Sequence, residues 1–129
     1  MKDMFFSDYQ ATVKSLLLRN KSILDILSKL GTTNSRVTRK IVKSVTSCGC
    51  IKVCATKQPV PSCLDEIELY NDNHLRDNLC DNCKSDIEKE IGTHLFYLTA
   101  LCNCLDLDIY DILLKEKSNL LSLGKFNLR

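Results

Sequence analysis

The sequence predicts an all-α protein of four to five helices with one Cys-rich insertion, and three observations lead to this prediction. Gly (4), Pro (2) and aromatic residues (6%) are scarce and Trp is absent, a composition that favours helices over a β sandwich. Apolar residues recur at helical spacings of three and four in both halves of the chain. Both prolines and six of the eight cysteines lie between these halves, which indicates an irregular insertion there.

The chain is long enough for one domain, since 129 residues with 44% hydrophobic side chains can bury one modest core. We expect a single domain in three parts: a basic helical half (1–47), a Cys-rich insertion (48–85) and a second helical half (86–129). Residues 1–57 hold 11 Lys or Arg against three Asp, a net charge of +8, whereas residues 58–129 carry a net charge of −6. The two halves are therefore expected to pack together or to pair across a dimer, or the basic half meets an anion.

The basic half carries two helical patterns. Apolar residues between Val13 and Leu30 form one wide stripe, on a single helix or on two helices with a break near Asn20. Gly31 is expected to end this segment, and residues 32–34 offer N-cap candidates for a second helix that runs to about residue 47. That helix should bury one face and hold a cationic face outward, and its candidate anion-binding residues are Arg36, Arg39, Lys40 and Lys43.

The rest of the chain alternates weak and strong signals. Residues 48–63 predict a loop with a short extended piece, and residues 64–78 predict a weak acidic helix interrupted by Asn and Asp. The strongest periodic signal predicts a helix over residues 86–105. Asp108 is expected to cap a last helix, which Gly124 closes.

Two close-spaced cysteine pairs predict one structural zinc site, with the ligands Cys48, Cys50, Cys80 and Cys83. Zinc prefers four tetrahedral ligands, and two thiolates one to three residues apart can both turn toward one ion. A full thiolate shell leaves no open position for water, so the ion would staple the insertion rather than catalyse. The other readings are free loop thiols, or replacement of one ligand by Cys54, Cys63 or His74.

The expected compartment is the cytoplasm. No apolar run approaches twenty residues, and Asp3 and Asp8 stand where a secretory signal would have its apolar stretch. We therefore expect no membrane association, and cysteines that serve as metal ligands or small buried hydrophobes. A secreted protein with a disulfide framework is the alternative.

One segment resembles a known enzyme family. Residues 88–116, EKEIGTHLFYLTALCNCLDLDIYDILLKE, resemble the second half of MazG-like nucleoside triphosphate pyrophosphohydrolases, in which a helix reads like EIGDxLFYLxxLAxxLGID. The likeness spans about residues 86–117. A fainter likeness covers residues 24–45, LDILSKLGTTNSRVTRKIVKSV, which are similar to the family's preceding helix pair. The resemblance implies a MazG-like helical bundle that forms homodimers. The acidic second half, with its apolar tail, is the candidate interface.

The resemblance also implies that the family's metal site is lost. In the family, the acids of an E-E-x-x-E and an E-x-x-D motif hold magnesium ions that gather the triphosphate. The matching positions in this chain are Thr32, Thr33, Arg36, Glu90 and Thr93. One carboxylate of five cannot hold the metals, because Mg²⁺ demands several oxygen ligands.

Our leading hypothesis is a non-catalytic, zinc-stabilised MazG-like protein that binds a nucleotide, a nucleic acid or a protein partner. An alternative is a metal-dependent nucleoside triphosphate pyrophosphohydrolase with a displaced acidic site, which would use magnesium and whose candidate residues are Glu90, Asp65, Glu66 and Glu68. Glu90 and His94, four apart on one helical face, are a candidate pair for a different metal, against the reading of an ordinary surface pair. A further alternative is a zinc-containing DNA-binding regulator, although the net charge is only +2 and aromatic residues are sparse.

Overall fold

The fold is a helical bundle with a small β hairpin inserted at one end. A computed structural model describes residues 4–19, 21–58 and 72–124. Within these residues the elements are α1 (Met4–Leu16), α2 (Ile23–Lys43), β1 (Ile51–Val53), β2 (Leu75–Asp77), α3 (Asp81–Cys104) and α4 (Ile109–Leu123). The prediction of a mainly helical protein with four to five helices is confirmed, and the two-stranded sheet is the addition.

Helix α2 runs without a break through Gly31, so the prediction that Gly31 ends a helix is wrong, as is the N-cap expected at residues 32–34. The reason is a stripe of inward-facing positions that keeps its phase across the glycine. Buried or half-buried positions recur at alternating spacings of four and three: Ile26, Leu30, Thr33, Val37, Lys40 and Ser44. A glycine inside a helix costs only about 1 kcal/mol relative to alanine, which packing along this stripe outweighs.

Helices α2 and α3 form the main interface and run antiparallel. Thr33 bonds to His94. Lys40, seven residues later in α2, pairs with Asp86, which is eight residues earlier in α3. The inward positions of α3 also alternate at four and three, as Cys83, Ile87, Glu90, His94, Tyr97 and Leu101. Both stripes therefore have the heptad-like spacing of helices that pack at a shallow crossing angle.

A compact core lies at the end of this interface remote from the hairpin. It consists of Val13 of α1, Ile26 of α2 and Ala100 of α3, each 1% exposed, with flanking side chains of Tyr9, Leu17, Leu30, Phe96 and Leu101. Because α1 packs against both α3 and α4, it joins the last helix to the rest of the bundle.

Gln10 fastens α1 to the turn between α3 and α4. Its Nε2 donates to the Leu107 carbonyl (2.6 Å), and its Oε1 accepts from the Ile109 N–H (3.1 Å). Asp108 caps α4 as expected, since its side chain accepts from the N–H groups of Tyr110 and Asp111. These bonds fix where α4 begins.

The hairpin pairs β1 with β2 in antiparallel register, with Lys52 opposite Arg76. The helix predicted over residues 64–78 is wrong at Leu75–Asp77, which is a strand, while residues 64–71 lie outside the described residues. His74 and Asp77 adopt positive φ angles of 63° and 67°, which an α-helix cannot contain. Helix α3 also begins at Asp81 rather than at Asp86, so it includes part of the Cys-rich insertion.

Candidate metal centre and cationic recess

Four cysteines meet where the hairpin joins the helices. Helix α2 continues into a π-helical turn, Ser44–Cys48, and Gly49 then takes a positive φ of 77° that reverses the chain. This reversal places Cys50 directly before β1, where its sulfur contacts the Ser44 carbonyl at 3.8 Å. Cys80 is the N-cap residue of α3, and Cys83 lies in the first turn of that helix.

The sulfur geometry suits a tetrahedral metal ion. The four Sγ atoms of Cys48, Cys50, Cys80 and Cys83 all lie within 4.8 Å of one another, so these cysteines can hold a metal ion. The Cys48 and Cys80 sulfurs are 3.8 Å apart, and a regular tetrahedron with metal–sulfur bonds of about 2.3 Å has edges of about 3.8 Å. A disulfide requires about 2.05 Å, and all cysteines of the described residues are free.

The electrostatics of the cluster call for a cation. The backbone N–H of Cys83 donates to the Cys80 sulfur and lowers the pKa of that thiol to about 7. Hydrogen bonding with Ser44 favours the thiolate of Cys83, but hydrogen bonding with Cys80, desolvation, and hydrogen bonding with Cys48 and Cys50 together outweigh it and raise the pKa of Cys83 to about 12. Since neighbouring thiolates repel, a bound divalent cation would stabilise the ionised form of all four.

The alternative ligands lie elsewhere or outside the described residues. Cys54 is exposed and does not belong to the four-sulfur cluster. His74 is half-buried, and its Nε2 is a buried atom with no hydrogen-bond partner in the part of the chain that the structure describes. Cys63 lies outside the described residues. Cys102 is a core residue, 6% exposed, and burial raises the pKa of its thiol.

Next to the metal centre, α2 and α3 form a recess of about 230 Å³, which we call the cationic recess. Its lining consists of the four predicted anion-binding residues and one acid: Arg36, Arg39, Lys40, Lys43 and Glu90. Lys40 is half-buried and meets Asp86 at 3.9 Å. The other three cations are exposed, and no carboxylate of the described residues lies within 4.0 Å of them. The recess therefore has an excess of positive charge.

The five positions that match the family's metal motifs are only partly brought together. Arg36 and Glu90 share the cationic recess. Thr33 is fully buried and bonds to His94, whereas Thr32 is exposed and donates to its own helix at the Ser28 carbonyl. Thr93 likewise donates within its helix, to the Lys89 carbonyl. Among the described residues, the four-cysteine cluster is the one group of three or more metal-ligand side chains, and no carboxylate cluster converges.

A second, apolar groove of about 480 Å³ lies between α1, α3 and α4, and the sequence reading did not assign it. Its lining is Phe5, Phe6, Tyr9, Gly92, Leu95, Leu98, Thr99, Cys102, Ile109, Ile112 and Leu113. Leu95 and Leu113 are each 46% exposed, and no residue of α4 is buried. The aromatic residues Phe5, Phe6 and Tyr9 of α1 indicate an apolar surface here. They precede Val13, where the apolar stripe predicted from the sequence begins.

No helix of the described residues combines the length and apolar character that crossing a bilayer requires. Comparison of the chain with family models, with curated proteins and with solved structures finds no match.

Proposed function

We propose that this protein is a non-catalytic, zinc-stabilised relative of the MazG-like fold that binds a small phosphate-bearing anion in the cationic recess. The observation that carries the proposal is the composition of the recess, in which four cations and one acid line the same space. Arg36 occupies a position where the family has a metal-binding acid. A guanidinium there can bond to a phosphate directly, without a bridging magnesium ion.

The size and lining of the recess favour a phosphate or pyrophosphate group over a nucleobase. Its volume of about 230 Å³ is below the roughly 300–1,000 Å³ typical of sites that enclose a whole small molecule. No aromatic side chain lines it, so it offers a base no aromatic stacking platform. A nucleotide would therefore be held by its phosphates, with its base outside the recess.

The packing of α2 on α3 supports the proposed kinship. The two segments that resemble the family, residues 24–45 and 86–117, include most of this antiparallel pair. Arg36 and Glu90, one from each family motif, line the same recess. Among the described residues, Glu90 and His94 belong to no cluster of three or more metal-ligand side chains, which weakens the alternative of a displaced metal site on this pair. Asp65, Glu66 and Glu68, the other candidate acids, lie outside the described residues.

Zinc is the metal that we propose for the four cysteines, and its role is structural. Four thiolates at tetrahedral spacing match its preferred closed shell, and the free thiols of the described residues suit the reducing cytoplasm. Helix α3 and the hairpin share little other packing, since Ile51 is the one buried hydrophobic residue among the described hairpin residues. The ion would therefore replace the core that the hairpin lacks.

We further propose that the protein is a homodimer that buries the apolar groove. Exposed leucines of α3 and α4 line a continuous concave surface together with aromatic side chains of α1. Exposed apolar patches of this kind mark interaction sites in soluble proteins. A second copy presents the same apolar α4 to this groove, as a two-fold interface requires.

The proposed function is tested by calorimetry and a hydrolysis assay on the metal-loaded chain. We expect pyrophosphate and ATP to bind with similar affinity and adenosine not to bind. Arg36→Gln with Arg39→Gln should weaken pyrophosphate binding about tenfold or more, because two charge-assisted contacts are lost. Lys115→Gln with Lys117→Gln, which removes the same charge from α4, should change the affinity less than about twofold.

Three results would contradict the proposal. Hydrolysis of nucleoside triphosphates in Mg²⁺ at an ordinary enzymatic rate, about 1 s⁻¹ or faster, would favour the displaced enzyme site. Absence of pyrophosphate binding would remove the anion-binding role. Salt-sensitive binding to duplex DNA that pyrophosphate does not displace would favour the DNA-binding regulator.

A further inference from the structure

The helix ends that form the cationic recess also carry the metal ligands. Lys43 is the last residue of α2, and the turn that ends at Cys48 follows it directly. On α3, Cys80 and Cys83 occupy the start of the helix, and Glu90 lies seven residues after Cys83. At 1.5 Å per residue, Glu90 is about 10 Å along the helix axis from that ligand. The near end of the recess, at Lys43 and Glu90, is thus within about two helical turns of the four-cysteine cluster on both helices.

Few buried side chains and few polar contacts hold these two helix ends together: among the described residues there, Ser44 and Ile87 are the buried ones. The Lys40–Asp86 ion pair has side chains that are 39% and 53% exposed, and such exposed pairs contribute little. The next direct hydrogen bond between the helices, which joins Thr33 and His94, lies about 10 Å further along α2. The cations of the recess all lie on α2 and face Glu90 of α3, with no ion pair within 4.0 Å between them and Glu90 among the described residues. A crosslink through the four cysteines would add a direct tie between these helix ends.

We propose that metal bound by Cys48, Cys50, Cys80 and Cys83 regulates the anion affinity of the cationic recess by holding the ends of α2 and α3 together. This inference rests on the anion binding proposed above. With the metal bound, Lys43 and the arginines of α2 face Glu90 at a fixed spacing, so an anion meets a preformed site. Without the metal, the anion must itself order the two helix ends and binds more weakly.

An electrostatic effect opposes this ordering effect, and the sign of the coupling depends on which of the two is larger. A divalent ion with four thiolates carries two net negative charges, which repel an anion in the recess. At a separation on the order of 10 Å this repulsion is screened by salt, because the Debye length is about 8 Å at physiological ionic strength. Direct contacts between phosphate oxygens and the cations are not screened in this way. The ordering effect therefore prevails, and metal increases anion affinity.

The test measures pyrophosphate binding by calorimetry to the full chain, metal-loaded and after removal of the metal by a chelator. We expect the dissociation constant to rise about tenfold in the metal-free form, within the usual range of coupling between two sites. Cys104→Ser, which changes an exposed cysteine outside the cluster, should leave both values unchanged. Equal affinity in the two forms would overturn the coupling, whereas absence of binding to the metal-loaded form would overturn the proposed function instead.

Reciprocity supplies a second measurement for the case in which the metal-free chain loses its helical circular dichroism. If metal increases pyrophosphate affinity, pyrophosphate increases metal affinity by the same factor. Competition between the protein and a chelator, with and without saturating pyrophosphate, measures this factor on the folded protein. The double variant Arg36→Gln with Arg39→Gln is the control, because it lacks the proposed anion contacts and keeps the metal ligands. Any effect of pyrophosphate on its metal affinity comes from direct binding of pyrophosphate to the metal. Metal affinity that pyrophosphate changes equally in both proteins would overturn the coupling.

Discussion

The Thr33 hydroxyl lies 2.8 Å from Nδ1 of His94 and joins α2 to α3 where no water reaches the threonine, which is 0% exposed. The same hydroxyl lies 2.8 Å from the Lys29 carbonyl. A hydroxyl has one proton to donate. Both bonds therefore form together when the Thr33 hydroxyl donates to the Lys29 carbonyl and the Nδ1–H of His94 donates to the Thr33 oxygen. Under the kinship proposed above, Thr33 stands at the position of a motif acid.

Replacing Thr33 by valine should destabilise the protein by about 1–3 kcal/mol, because the shape is kept while His94 loses its partner in a buried setting. Urea unfolding followed by circular dichroism measures the change. Thr32→Val is the matched control, since Thr32 is exposed and bonds only within its own helix. Its effect should stay within about 0.5 kcal/mol, and equal losses in the two variants would contradict the role of the interhelical bond.

Gly31→Ala should stabilise the protein by about 0.5–1 kcal/mol. Gly31 lies inside α2, and an added Cβ would meet no atom within 4 Å, so alanine gains helix propensity without a clash. Thermal or urea unfolding of the metal-loaded protein measures the gain. Gly49→Ala is the contrasting variant and should destabilise by about 1–2 kcal/mol, because Gly49 has a φ of 77°. A destabilising Gly31→Ala would contradict the continuous helix.

Elemental analysis of the purified protein should find about one zinc ion per chain. Cys48→Ser and Cys80→Ser should each lower metal affinity by more than about 100-fold. Removal of a residue that only supports a metal ligand costs up to about 100-fold, and these variants remove a ligand itself. Both variants should also unfold at a lower temperature, because metal binding contributes to folding. Cys104→Ser, which removes an exposed thiol outside the cluster, should keep its metal. Unchanged zinc content in Cys80→Ser would remove the four-cysteine site.

In the metal-free protein, iodoacetamide should label Cys80 before Cys83. The pKa of Cys80 is lowered to about 7 by the Cys83 N–H, whereas the pKa of Cys83 is raised to about 12. The thiolate is the reactive form, so labelling of Cys80 should rise with pH through about 7 and that of Cys83 should stay low. Mass spectrometry of peptides measures both. In urea, the Cys80 midpoint should return toward about 8.5, and a midpoint unaffected by unfolding would contradict this assignment.

A charge in the apolar groove should prevent dimer formation. Leu95→Asp and Leu113→Asp each place a carboxylate on a surface that we expect to be buried between two copies. Light scattering after size-exclusion chromatography should give twice 14.7 kDa for the native chain and 14.7 kDa for either variant. Leu24→Asp is the control, since Leu24 is 73% exposed and lies outside the groove. A native chain that is already monomeric at micromolar concentration would exclude this interface.

Local sequence signals determined much of the architecture. The repeat within residues 86–105 belongs to α3, Asp108 caps α4, and the two cysteine pairs meet in space as their spacing indicated. Each of these features depends on residues that are close in the chain: a periodic face, a cap or a chelating pair. The cationic face of α2 was readable for the same reason, because its four basic residues lie within two helical turns.

Tertiary structure alone decided the features that depend on distant residues. Gly31 remains helical because α2 packs along α3, although its local propensity favours a helix end. Leu75–Asp77 pair with β1 as a strand, and Glu90 closes a recess whose other walls belong to α2. In each case the local preference amounts to about 1 kcal/mol or less per residue, whereas packing and pairing with a remote segment contribute more. Those contributions exist only once the chain has folded, so no window of the sequence contains them.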